Sequence, residues 1–520
     1  MTGTGGSGLV EEADVVVIGS GHNALVCAGY LAEAGFEVLV LEARDVVGGN
    51  TATEELTLPG FAHDSCSSAH VLIQSNPLLA DDELGLRARY GLDYVYPDPA
   101  VVMPLDGGDA LVMRPDAEAT EAELARWSPA DAVAYRRMLA EWDGGLARAH
   151  ARWNSGVPAE DDAGRRYAAL RRCRAADVIH QRFEHPVVRS FMLWLAFATI
   201  TDPHRPGTGA LVPAIVSGRT RYGWTTPLGG SAALPAALLA HLAAHGGTAF
   251  TSAAVSRIHL RGDRACAVET RDGRRFRARR AVVSSAHLTS LPAMLGDRDT
   301  PEELTRASAA WRPGLSLFAV HAALRADPRF HTRNGPTPAV AGALGSAAGL
   351  RHQLAEFAAG RPDPVDPWLL VVAPTVVDPG RAPDGGCTLK LLTVAPYRRA
   401  DGRSWEDTKD DYARSLLDLV RARADGLDDT SVLATLAESP VDLARRNPHN
   451  VGGSCHGGEF VWNGEVLPGW PSHRSPVPGL YLTGATTHPG GSVSGRAGRN
   501  TARTLLGDLG VDPHTVMGDI

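Results

Sequence analysis

Asp14–Asn50 reads DVVVIGSGHNALVCAGYLAEAGFEVLVLEARDVVGGN, and the fold turns on how it is read. Val15–Ile18 is an unbroken apolar, β-branched run, the pattern of a strand buried on both faces of a parallel sheet. Gly19-Ser20-Gly21-His22-Asn23-Ala24 follows at once. Gly19 permits a tight turn, Gly21 lets backbone approach a pyrophosphate, and Ala24 is small enough for the next helix to pack on the strand. The spacing predicts a helix over His22–Ala34, with Ala24, Ala28, Leu31 and Gly35 along its packing face. Its free N–H groups and positive dipole end would meet the phosphates. A second strand, Glu37–Leu41, ends at Glu42, 23 residues after Gly19 (42 − 19). A carboxylate there accepts from both hydroxyls of an adenosine ribose and disfavours a 2′-phosphate. Strand, glycine turn, helix and acid together indicate a dinucleotide site.

Working outward, the second glycine pair, Gly48-Gly49, suggests that backbone wraps further along an extended cofactor, as far as the ribityl chain and ring of a flavin. TATEELTLPGFAHDSCSSAHVL then reads as loop and short strands. Helical stretches follow at 131–150, 165–183 and 185–200. The last of them, with Val187, Val188, Phe191, Met192, Leu195 and Phe197, is either a core helix or the wall of an apolar cavity. PLGG at 227–230 leads into an Ala/Leu-rich helix. Asp272-Gly273 marks a hairpin, and Ala281–Ala286 reads as a strand returning to the parallel sheet. GLSLFAVHAAL, WLLVVAPTVV and CTLKLLTVAPY are strand-like, and WEDTKDDYARSLLDLVRARADGL is an amphipathic helix. At the far end Leu480–Thr483, Gly484, Thr487-His488-Pro489-Gly490-Gly491-Ser492-Val493 and a helix from about Ser494 form a second glycine-rich approach.

At 520 residues the chain exceeds one core. Its 44% hydrophobic and 21% charged residues are those of a globular protein. A net charge of −8 and no basic patch argue against nucleic acid. Six scattered cysteines form no C-x-x-C pair, which argues against a metal cluster and for a reducing, cytoplasmic location. The N-terminal MTGTGGSGLVEE reads as a polar tail over 1–12, and no apolar run nears the roughly 20 residues of a membrane span.

GSGHNALVCAGYLAEAG, Glu42, Gly48-Gly49, PLGG, the AVVSSA strand and GATTHPGGSVSGRAGRN carry a resemblance. The chain resembles the flavin-dependent phytoene desaturase and carotenoid isomerase family of the amine-oxidase-like flavoprotein superfamily. VVDPGRAPDGGCTL and SPVDLARRNPHNVGGSCHGGEF fit its branch typified by pyridine nucleotide-disulphide oxidoreductase domain-containing protein 2. The resemblance implies an α/β fold: a Rossmann-like FAD-binding domain (13–75, 222–313, 466–520) interleaved with an α+β substrate domain (76–221, 314–465). It implies one FAD, held by Gly19, Gly21, His22, Asn23 and Ala24, by Glu42-Ala43-Arg44, and by Gly48-Gly49-Asn50. Val255 would contact the adenine, Gly484 and Ala485 the pyrophosphate or ribityl, and Gly491, Ser492 and Val493 the ring. A helix from about Ser494 would aim its positive end at the flavin N1–C2=O edge. Arg44 either braces the phosphate loop or is solvated.

The expected activity is an FAD-dependent oxidoreductase: hydride from an apolar or conjugated small molecule to flavin N5, with oxygen or a quinone as acceptor. A redox-neutral isomerase using reduced FAD, a flavin amine oxidase and a prenyl- or lipid-carrying protein are the alternatives. His488 and His456 are candidates to move a proton, and a loop-bonding role competes for each. His70, Trp224 and Trp462 are candidate cavity residues, and Cys455 reads as an incidental loop cysteine. No resident metal is expected, and peripheral membrane contact and oligomeric state stay open.

Overall fold

The structure, a computed structural model, describes residues 11–462 and 465–519. In the Glu11–Ile18 strand, Val15 and Val17 pack into one buried cluster with Leu25, Tyr30 and Leu31. Val16 and Ile18 pack into another with Ile258, Val282 and Leu480. Alternate side chains point to opposite faces, so two clusters mean a strand covered on both sides. Thr248–Phe250, Val38–Leu41, Glu11–Ile18, Arg275–Ser284 and Leu480–Leu482 lie side by side and run parallel. Val255–Arg261 and Arg264–Thr270 complete the seven-stranded sheet as an antiparallel meander beside the first half of Arg275–Ser284. The Asp272-Gly273 turn joins the last two strands of that meander, and the return strand pairs Val282 with Val16, as expected.

The first helix runs His22–Glu33, flanked by the helices Ala233–Ala244 and Arg496–Asp508. The C-terminal helix approaches closely because Gly498 faces it. A Cβ there would stand 2.2 Å from the Asn23 carbonyl oxygen. Glu11 and Glu12, read as tail, instead begin the first strand opposite Phe276 and Arg277. The rest of that tail lies outside the described residues.

The second sheet follows the order Val432–Glu438, Leu317–Leu324, Cys387–Val394, Leu369–Val372, Ala341–Leu344, Val101–Pro104, Ala110–Met113. It is antiparallel except where Ala341–Leu344 meets Val101–Pro104. It too is two-faced: Leu317, Ala343, Leu370 and Val372 point into one cluster, Phe318, Val320, Leu369 and Leu391 into the other. The Val101–Pro104 and Ala110–Met113 hairpin was not expected, because a proline ends its first short strand.

Two long helical expectations are broken. The 131–150 stretch is Pro129–Glu141, a π turn at Trp142–Leu146 and Ala147–Asn154, with Gly145 at φ 131° inside the turn. The 165–183 stretch divides at Cys173, whose extended carbonyl accepts from the Thr208 and Gly209 N–H groups. The 185–200 stretch is the helix Pro186–Phe197, largely buried in a core cluster. Leu78, Leu79, Leu84, Leu86, Leu92 and Tyr94 pack with the first sheet's cluster, so its cover extends beyond residue 75. Among the described residues no helix is long and apolar enough to cross a membrane.

Candidate active site

Gly19 leaves the first strand at φ +89° and donates its N–H to Leu41 O at 2.7 Å. An L side chain is strained there, and a Cβ would stand 2.3 Å from Ser285 Oγ, which itself bonds Ile18 O at 2.8 Å. Gly21 meets the opposite condition. A Cβ on it would find nothing within 4 Å, so the chain leaves open space against the helix start. No side chain caps that helix. Its first N–H groups, unpaired by the geometry of any helix, face that space with the positive end of the dipole.

Glu42 is buried, and its carboxylate is fixed. Oε2 accepts from Ser20 N (2.8 Å) and Ser20 Oγ (2.6 Å), and Oε1 accepts from Arg44 N (2.9 Å). Oε2 is thereby filled, and Oε1 keeps a further lone pair for a ligand. Arg44 is not solvated: Nη2 pairs with Glu54 at 2.9 Å, and Nη1 is buried with no partner. Glu54 also pairs with Arg446, and Arg446 with Glu438, which accepts from His321. This chain ties the acid loop to the second sheet. Burial alone would raise the Glu438 carboxyl, but His321 and Arg446 hold it down to about 2. Asn50 makes a parallel tie: it donates to Asn450 and the Cys455 carbonyl and accepts from Asn447.

These groups share one cavity of about 710 Å³ between the sheets, within the size range of small-molecule sites. Every residue expected to hold the cofactor lines it except Gly48 and Gly491. Gly48 supports the turn instead, donating to Ser20 O, with its Cα against Thr51 and Pro235. Gly491 lies against the His456 backbone, where a Cβ would be 2.3 Å from the carbonyl oxygen. Ser492 reaches the cavity through a backbone at φ +92°.

The two candidate histidines separate. His456 lines the cavity with Nδ1 buried and unpartnered, and burial pushes its imidazole down to about 4. His488 is outside the cavity wall. Its Nε2 donates to Trp153 O at 2.7 Å and its ring meets the Trp153 ring edge-on, the geometry of the loop-bonding alternative. His70 is also structural, bonded to Tyr94 and Ser231. Trp224 does line the cavity, and the Trp462 side chain lies outside the described residues.

Sequence reasoning missed the rest of the wall. Val71, Leu72, Ile200, Ile215, Leu317, Leu370, Val372 and Leu392 make an apolar arm, drawn from both sheets' connections and from the second sheet itself. Lys390 stands on that sheet, opposite Val372, and donates Nζ to the carbonyls of Asp64 and Cys66. Burial lowers its pKa. Cys66 and Cys455 meet on the wall. The hydrogen bond between them lowers the Cys66 thiol and raises Cys455 well above the usual thiol range. The only advance signal was alternation in CTLKLLTV, which puts Lys390 and Leu392 on one face.

The description "flavin containing amine oxidoreductase" matches residues 25–506 of this chain. The chain belongs to that family. It is an FAD-dependent oxidoreductase. The mouse protein called pyridine nucleotide-disulfide oxidoreductase domain-containing protein 2 is 30% identical, covering 96% of this chain and 94% of its own. A limonene dehydrogenase component from Castellaniella defragrans is 27% identical, covering 97% and 96%. Among solved structures, cyclohexylamine oxidase from Brevibacterium oxydans shares the fold at 17% identity and a TM-score of 0.57, covering 96% and 99%. This flavoprotein's own residues suit the cofactor on two counts. The open cradle at Gly21 faces an uncapped helix, and the unpartnered Arg44 Nη1 is buried in the adjoining loop.

Proposed function

We propose that this flavoprotein takes a hydride from an apolar or conjugated small molecule, with oxygen or a quinone-like oxidant closing the cycle. Bound FAD supplies the two-electron acceptor. The Gly19–Ala24 turn and its helix bind the diphosphate, Glu42 accepts from the adenosine ribose, and Arg44 Nη1 donates to a phosphate oxygen. Val255 borders the adenine, while Gly484, Ala485, Ser492 and Val493 border the ribityl and ring. The apolar arm orients the substrate and excludes water. His456, neutral at pH 7, offers Nδ1 as a transient proton partner. The observation that carries the reading is the cavity itself: a polar glycine-turn end continuous with an arm of Ile200, Ile215, Trp224, Leu370 and Leu392. The relative named for limonene dehydrogenase supports an apolar substrate. Trp224 is the only Phe, Tyr or Trp among the described lining residues, which does not favour an aromatic cage for an amine.

The division into an FAD-binding and a substrate part belongs to the same reading, with residues 76–94 moved to the FAD side because their apolar side chains join its core. A cytoplasmic location rests on the scattered cysteines. The test is anaerobic bleaching of the purified yellow protein by cyclic alkenes, polyenes and alkylamines. Bleaching by alkenes or polyenes is the expected result. Bleaching by amines alone refutes the proposal, and double-bond migration seen only after dithionite reduction replaces it with isomerisation.

A further inference from the structure

Arg219 is a buried cation with no acid paired to it among the described residues. It follows Ile215 by one turn of the Leu211–Tyr222 helix, and both line the apolar arm. The guanidinium lies 3.8 Å from the centroid of the Trp224 ring, and Nη1 donates to Gly223 O at 3.3 Å. Nε is buried with no partner, and no carboxylate among the described residues pairs with Arg219. Of the three other buried arginines among the described residues, Arg381 pairs with Asp64 and Arg499 with Glu83, while Arg496, outside the cavity wall, donates to Ser75 O. Glu42 is the only acid among the described lining residues, and Ser20 and Arg44 hold it at the dinucleotide end. The Trp224 ring stabilises part of the Arg219 charge, and the guanidinium N–H groups still call for acceptors and an opposite charge. The guanidinium fork fits a carboxylate. We propose that the substrate carries an anionic head, a carboxylate, on an apolar body, and that Arg219 binds that head. This rests on the reading that the arm is the substrate's place.

The holoenzyme tests this through its flavin spectrum, with decanoate, 1-decanol and decylamine as probes. Decanoate is expected to bind at least about tenfold more tightly than decanol. Arg219→Met should erase that preference and Arg219→Lys retain part of it. Arg219→Met should also melt no lower than the parent, because it removes an unpaired buried charge and keeps the packing. Equal binding of the three probes by a protein that holds flavin overturns the anionic head, as does tightest binding of decylamine. A lowered melting temperature, or a changed flavin spectrum in ligand-free Arg219→Met, overturns the role given to Arg219. A protein that holds no flavin overturns the proposed function instead.

A different observation carries a second site. His241 and His245, one turn apart, lie against Glu33 at the end of the first helix. His245 Nδ1 lies 2.9 Å from His241 O. A carbonyl only accepts, so Nδ1 carries the proton and Nε2 of the neutral ring is a lone pair. That lone pair meets Glu33 Oε2 at 3.2 Å, and His241 Nε2 lies 3.4 Å from the same oxygen. Glu33 Oε2 is buried and accepts no hydrogen bond. These spacings match the edge of a tetrahedron, about 3.3–3.4 Å for zinc–ligand bonds of about 2.0–2.1 Å. The His245–carbonyl bond is the kind that orients a metal-bound imidazole. By the same rule His241 Nε2, 3.3 Å from Gly29 O, carries the proton of its ring, and binding a metal would move that proton to the unpartnered Nδ1 and give up the Gly29 contact.

The geometry points to a site for one divalent metal of the zinc type, held by Glu33, His241 and His245, with water completing the shell. Chelator competition on tag-free holoenzyme should find one equivalent of Zn²⁺ bound, and His245→Ala, a change at a half-exposed position, should lose it. No equivalent bound at about 100 µM free Zn²⁺ overturns the site. So does undiminished binding by His245→Ala.

Discussion

Gly19→Ala tests the geometry of the phosphate turn in a way that can be divided into parts. At φ +89° an alanine costs about 1–2 kcal/mol of backbone strain. Its Cβ would stand 2.3 Å from Ser285 Oγ but 3.7 Å from Ser285 Cβ, so only the hydroxyl collides. The hydroxyl escapes by rotating, which breaks its 2.8 Å bond to Ile18 O and costs about 1 kcal/mol. The sum, about 2–3 kcal/mol, corresponds to flavin binding weakened roughly 30- to 150-fold if the strain falls on the binding-competent turn. Flavin dissociation constants, read from the fluorescence of released flavin, measure it. The sharper result is the double-mutant cycle. Ser285→Ala alone should cost about 1 kcal/mol, but almost nothing in the Gly19→Ala background, where the hydroxyl bond is already lost. If Ser285→Ala costs the same in both backgrounds, the two groups do not collide, and the turn is not built as described.

Acid should weaken the protein in two stages. The buried imidazoles of His22, His449 and His456 are pushed down to about 4, so the unfolded chain binds more protons below pH 6.5, and stability falls from there toward pH 4. His456→Gln should flatten that limb in denaturant titrations. Glu438, held near 2, contributes stability present above its unfolded value and lost as pH falls from about 4.5 toward 2, and Glu438→Gln should lessen the pH dependence of that window, which other lowered carboxylates such as Asp64 and Glu83 share. Ile215→Trp should block the apolar arm, slowing flavin bleaching by bulky substrates while leaving flavin content unchanged. His488→Phe should keep the bleaching rate and His456→Gln should lower it. The reverse order would place the proton-moving group outside the cavity.

What could be read in advance follows the range over which each interaction acts. The turn at Gly19, the acid at Glu42 and the strand at Val15–Ile18 are local: a few adjacent residues carry the conformation, and the strand forms and the turn and acid line the cavity. The C-terminal passage was legible for the same reason, although His488 and Gly491 do not line the cavity. Sequence places them beside the cavity, but only the packing against Trp153 and the His456 backbone shows which way they face. The substrate arm is the opposite case. Ile200, Ile215, Leu317, Leu370 and Leu392 come from separate elements, and no spacing along the chain brings them together. Each alone looks like an ordinary core residue, and the 185–200 helix is mostly that, with only Ala198–Ile200 beyond its end reaching the cavity. Arg219 is the most instructive miss. In sequence it sits in SGRTRYGW, with the polar appearance of a helix end near solvent. Three-dimensional packing buries it, stacks it on Trp224 and leaves it without an acid among the described residues, and the proposed anionic head rests on that packing. The motifs therefore specify the cofactor, which many related chains share. The proposed substrate rests instead on long-range packing, and there the informative residues are those whose buried polar groups the fold itself leaves unsatisfied.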